Sequence, residues 1–134
     1  RVLFRSDVLL GTLVGIEAIA EALTVNAVLT LLNLSDNKIG PEGAKAIAAA
    51  LQSGTAVLTS LDLCANEIGP EGAKAIAGAL QSGSAVLTSL DLAGNRLCGF
   101  DHRGRGTYDA SGIQALASAL AGNAVLTERS FTGY

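Results

Sequence analysis

The sequence predicts an α/β solenoid: a curved horseshoe segment with parallel strands on its concave face, helices on its convex face and about 28–29 residues per unit. Three observations predict it. A block opening at Leu29 returns at Leu58 and again at Leu87, two equal steps of 29 residues. Within each copy the hydrophobic period changes from two to that of a helix. One copy is too small to cover its own apolar side, so copies have to stack.

The first half of each copy reads as a strand and a bend. Leu32 and Leu34, Leu61 and Leu63, and Leu90 and Leu92 alternate with polar residues, which gives a short strand one buried face. The positions facing the other way are Thr30, Leu31 and Asn33, then Thr59, Ser60 and Asp62, then Thr88, Ser89 and Asp91. Adjacent strands lie about 4.8 Å apart, so Asp62 and Asp91 are expected to form a local acidic spot. Asn37, Asn66 and Asn95 close the bend, where a side-chain amide can satisfy backbone groups that burial would orphan; this column reads as structural.

The second half reads as a helix. Gly40 to Leu51 recurs almost letter for letter from Gly69 to Leu80. Gly43, Ala46, Ile47, Ala50 and Leu51 form one helical stripe. Its small members, with Gly72, Ala75 and Ala79 in the next copy, are expected to let the helix approach the sheet. Pro41 and Pro70 suit the first turn, Glu42 and Glu71 the positive end, and Gly54 and Gly83 the termination.

The period frays at both ends. Gly15 to Leu23 matches the helix half, but no strand half is recognisable before it. After Leu126, Arg129 stands where Leu is expected and Tyr134 where Asn is expected, either as a degenerate last strand or as a drift of the pattern. Gly112 follows Gly72 by 40 residues rather than 29, so eleven residues, 98–108, are inserted between strand and helix. Asp109 is placed to cap a helix from Ser111 to Leu120. Residues 1–6 resemble a translated sequencing adapter and are set apart as non-native. The rest divides into a partial repeat 7–26, repeats at about 27–55, 56–84 and 85–123, and a partial repeat 124–134. The absence of Met, even at position 1, predicts that the chain is a piece of something longer, and its uncapped ends predict poor solubility.

The pattern LxxLxLxxNxI followed by GxxGAxAIAxAL resembles the leucine-rich repeats of the ribonuclease-inhibitor type, shared with nucleotide-binding immune sensors and the GTPase-activating protein for Ran. It extends over residues 7 to about 131. The resemblance implies a module that binds a protein on its concave face, as the recognition or scaffold portion of a larger protein. Two alternatives share the repeat. A Ran-type GTPase activator would need an activating arginine, for which Arg96, Arg103 and Arg105 are available without a matching motif. A nuclease inhibitor of this type would carry abundant cysteines, which are absent.

Composition narrows the classes further. A net charge of −3 gives no case for nucleic acid or an anionic membrane surface. The apolar run from Val8 to Ile16 is far short of a membrane span. Cys64 and Cys98 fit neither a zinc pair nor a disulfide framework, which favours free thiols and a cytoplasmic setting. No GxxxxGKS/T, GxSxG or HExxH motif occurs, and an open sheet lacks the water-excluding cleft that paired carboxylates need for catalysis. The expectation is therefore a non-enzyme with no cofactor, metal or catalytic residue, whose partner is a protein rather than nucleic acid, membrane or small molecule. Its contact residues are expected to be Asn33, Asp36, Ser60, Asp62, Ser89 and Asp91 on the concave face. The insertion adds Phe100, His102, Arg103, Arg105 and Tyr108, residue types enriched at interface hot spots. Asp101-His102-Arg103 is a weak metal site, since no second His or spaced thiol pair accompanies it. The insertion reads equally as a contact loop or as retained intron sequence.

Overall fold

The computed structural model describes residues 2–3, 13–25, 29–53, 57–82, 86–101 and 103–131. Strands and helices alternate: β1 (Val2–Leu3), α1 (Leu13–Val25), β2 (Leu31–Asn33), α2 (Gly40–Gln52), β3 (Ser60–Asp62), α3 (Gly69–Gln81), β4 (Ser89–Asp91), α4 (Ser111–Ala121) and β5 (Glu128–Ser130). The five strands form one parallel sheet in chain order. Leu32, Leu61 and Leu90 stand in register across it, as do Asn33, Asp62 and Asp91.

Three-residue strands hold because the ladder runs on into the bends. The Leu34 N–H donates to Asp62 O, Asp36 N–H to Cys64 O and Gly40 N–H to Asn66 O, and the next repeat repeats the set. The asparagines complete it. Asn66 is fully buried; its Oδ1 accepts the Asn37 N–H at 2.7 Å, and its amide donates to Leu34 O and Leu63 O at 2.9 Å each. Asn95 does the same for the Asn66 N–H, Leu63 O and Leu92 O. Asn66 and Asn95 thus each stitch two repeats together, satisfying groups that burial would otherwise leave unpaired.

The core lies between sheet and helices, where Leu32, Leu34, Ile47, Leu51, Leu61, Leu63, Ile76, Leu90 and Leu92 are inaccessible or nearly so. The glycines of the helical stripe allow close approach on two sides. A Cβ on Gly43 would lie 3.1 Å from Ile16 of α1, and one on Gly72 would meet Ala44 of α2 at 3.0 Å. One on Gly112 would come within 2.7 Å of the Pro70 carbonyl oxygen in α3. The tightest approach of the first two is to the isoleucine that leads into their own helix, Ile39 at 2.5 Å for Gly43 and Ile68 for Gly72, so these glycines admit that core side chain as well as the neighbouring helix; Ala46 and Ala75 are only half-buried.

Four further expectations are corrected or sharpened. A strand stands before α1, since Val2 and Leu3 pair with Leu32 and Asn33; it falls within residues 1–6, set apart above as non-native, and a backbone ladder requires no side-chain pattern. The tail is a degenerate last strand, with Arg129 opposite Leu90 and exposed. Helix α4 ends one residue later than predicted, and Ala110 occupies its cap position; the Asp109 carboxylate, one residue earlier, accepts the Ser111 N–H at 2.9 Å. Ser53 and Ser82 close α2 and α3, each hydroxyl donating back to the carbonyl three residues before it at 2.7 Å. Gly54, Gly83 and Tyr134 lie outside the described residues.

Candidate functional site

The open face of the sheet carries three in-register rows. Ser60 faces Ser89 across β3 and β4, and Asp62 faces Asp91, all half-buried. Thr59, Thr88 and Thr127 each send a hydroxyl to the carbonyl of the threonine one repeat back, at 3.1–3.3 Å. The row of Asn33, Asp62 and Asp91 has a local duty as well: each Oδ1 accepts the N–H two residues on, from Ser35, Cys64 and Ala93, at 2.9 Å. That turn fixes the side chains' aim and leaves one oxygen of each aspartate uncommitted among the described residues.

Cys64 sits within this row. The ligand atoms of Asp62, Cys64 and Asp91 all lie within 4.8 Å of one another. Burial raises the thiol pKa, and the charges of Asp91, Asp62 and Asp36 raise it further, which keeps the sulfur protonated near neutrality. Thiolate and carboxylate are zinc ligands, but a cation here would first have to displace that proton. The more direct chemistry of the row is attraction of a partner's cationic side chain. Asp36, predicted on the same face, lies beyond the strand in an exposed bend at φ +58.

At the rim where the strands end, Lys38, Glu67 and Arg96 occupy equivalent left-handed positions, at φ +52, +57 and +55. Arg96 lies 3.8 Å from Glu67, an exposed pair. From the same rim the insertion emerges as a small closed loop. Its base is fastened by the Asp109 N–H donating to Cys98 O, and Phe100 and Gly106 form an antiparallel bridge. At its centre is Asp101, only 8% exposed. Its carboxylate accepts the Arg103 and Arg105 N–H groups at 2.9 Å and the Arg105 Nε–H at 2.8 Å, with Arg105 Nη2 also at 2.8 Å. The Arg105 N–H, then its side chain and the Arg103 N–H, outweigh burial and lower the Asp101 pKa to about 2.

The loop residues therefore do not act as a set. Arg105 is turned back onto Asp101, and half-buried Phe100 stacks against Tyr108 with ring centroids 5.9 Å apart. Tyr108, 65% exposed, and Arg103 remain outward. His102 lies outside the described residues. Sequence reasoning weighed Asp101 only as part of a weak metal site and missed its role as the loop's acceptor, although an Asp followed by a glycine-rich turn is a known way of gathering backbone N–H groups. It also missed a depression of about 320 Å³ at the ends of α3 and α4, lined in part by Gln81, Ser118, Asn123 and exposed Val125. That volume is at the low end for ligand pockets, and no charged group lines it.

Comparison with known proteins agrees with this geometry. A family model described as leucine-rich repeat matches residues 25–48 and 56–77. A solved structure of leiomodin-1 actin-binding site 2 superposes with a TM-score of 0.72 at 27% identity, over 90% of this chain and 63% of that one. The chain thus spans less than two thirds of the length of that structure. No curated protein matches it. The chain has the fold of a leucine-rich-repeat α/β solenoid. Among the described residues no helix is long and apolar enough to cross a membrane.

Proposed function

We propose that this chain is a protein-binding solenoid, the recognition or scaffold portion of a larger protein, which holds its partner on the concave sheet face. The observation that carries the reading is the in-register row of Asp62 and Asp91, fixed by their turns with one oxygen each uncommitted among the described residues. Such a row suits a partner's Lys or Arg, and outward Arg103 and Tyr108 extend the surface along one rim. The leucine-rich-repeat match supports the reading, and likeness to an actin-binding site of leiomodin-1 makes actin the first partner to assay. A cytoplasmic setting belongs to the same proposal, supported by the free thiols of Cys64 and Cys98. The GTPase-activator alternative gains no support from Arg96, which pairs with Glu67, or from Arg105, which pairs with Asp101, and outward Arg103 stands in no matching motif.

The test is titration of monomeric actin with the chain and with an Asp62→Asn/Asp91→Asn double variant. Asparagine keeps the acceptor for the turn and removes only charge. Saturable binding that weakens on the order of tenfold in the variant is the expected result. Failure of the folded chain to bind rejects actin, and binding unmoved by the substitutions rejects the aspartate row as the contact.

A further inference from the structure

The sequence contains two Arg-Gly steps, and both fall in the insertion: Arg103-Gly104 and Arg105-Gly106. Their guanidinium groups are in opposite states. Both side chains are exposed, Arg105 at 67%, but Arg105 is bound to Asp101 through Nε and Nη2, whereas Arg103 has no side-chain partner among the described residues. The turn presents Arg103 rather than leaving it loose. Its N–H is held by the Asp101 carboxylate, and the Gly104 N–H donates to Asp101 O at 2.9 Å. Gly104 follows at φ +74, and nothing lies within 4 Å of where its Cβ would be.

We propose that Arg103 is a site of enzymatic arginine methylation and that the fold protects its neighbour Arg105. An enzyme that modifies a guanidinium must draw the end of a long side chain into a pocket while the flanking backbone lies against the pocket mouth. A following residue without a side chain, on an open tip, allows that approach. The donor is an external sulfonium cofactor, S-adenosylmethionine. A bond forms between Arg103 Nη and the methyl carbon, the carbon–sulfur bond breaks with its electron pair going to sulfur, and the nitrogen gives one proton to a base of the transferase. The product keeps its positive charge but loses an N–H, which blocks two-pronged recognition of a carboxylate. Arg105 can enter the same pocket only after its charge-assisted hydrogen bonds to a largely buried carboxylate are broken, which costs it on the order of tenfold in rate. This inference stands on the loop alone and does not rest on the binding proposal.

The experiment incubates the full 134-residue chain with a purified type I protein arginine methyltransferase and S-adenosylmethionine carrying a deuterated methyl group. Tandem mass spectrometry then locates the label. The expected result is label on Arg103 at about tenfold or more over Arg105. In Asp101→Asn, which keeps an acceptor for the turn but removes the charge that holds Arg105, the two sites are expected to approach parity. Absence of label on Arg103 in the folded chain, or equal label on both arginines, overturns the proposal. A preference for Arg103 that survives unchanged in Asp101→Asn also overturns it, because the pairing would then not be what protects Arg105.

Discussion

The bends after β2 and β3 and the loop after β4 solve one problem, turning the chain from strand to helix, in two ways. Both gather backbone N–H groups onto one buried polar side chain. In the regular bends that side chain is a neutral amide, Asn66 or Asn95, and the groups it serves belong to two repeats. In the insertion it is the charged carboxylate of Asp101, and the groups it serves lie two and four residues away. The first arrangement ties local geometry to the stability of the stack, while the second holds only its own loop. The switch occurs where Cys98 replaces Gly40 and Gly69, both at φ +70. A cysteine rarely adopts that conformation, and the positive φ moves on to Gly99, at φ +88.

The largest effect expected from this difference is on global stability. Asn66→Ala removes the acceptor for the buried Asn37 N–H and the donor to two carbonyls, and should cost about 3–4 kcal/mol, read as a lower midpoint of urea unfolding. A loss under about 1 kcal/mol would mean that the strand ladder alone holds the bends. The insertion should behave differently. Asp101 has its pKa lowered from 3.8 to about 2, so what it contributes is fully present above the unfolded value and is lost as pH falls toward 2. Amide exchange at Arg103 and Arg105, measured against the helix amides, should therefore lose protection in acid before the stack does. Asp101→Ala should remove that protection at neutral pH and leave the urea midpoint in place. Simultaneous loss in loop and helices would break the distinction.

The fold was legible because its signals recur. Leu61 and Ile76 are meaningful only beside Leu32 and Ile47, and the step of 29 residues makes each copy a check on the others. The Asp62–Asp91 pair followed from the same register. The asparagine column was read as structural, but the reach of Asn66 and Asn95 across repeats depends on bend geometry that spacing does not encode. The insertion has no second copy. Nothing in Arg103-Gly104-Arg105 distinguishes the guanidinium that pairs from the one that does not, because the choice is made by Asp101 once the Phe100–Gly106 bridge has formed. The part of Gly43 was read only on one side for a related reason: its stripe meets both Ile39 of its own bend and Ile16 of the neighbouring helix, and one-dimensional periodicity does not separate the two.

The smallest predicted effect compares two regular bends with each other. Ala65 and Gly94 hold equivalent places at φ +56 and +69, yet only glycine takes that conformation without strain. Ala65→Gly should relieve about 1 kcal/mol of backbone strain and lose about half of that to the greater freedom of the unfolded chain, a net gain of about 0.5 kcal/mol. Gly94→Ala should show the reverse sign at similar size, since its new Cβ would meet Ala65 no closer than 3.7 Å, ordinary contact. The double variant exchanging the two residues should then unfold at nearly the wild-type urea midpoint. A double variant much less stable than the sum of the single changes would show that the two bends, packed against each other, do not relax independently.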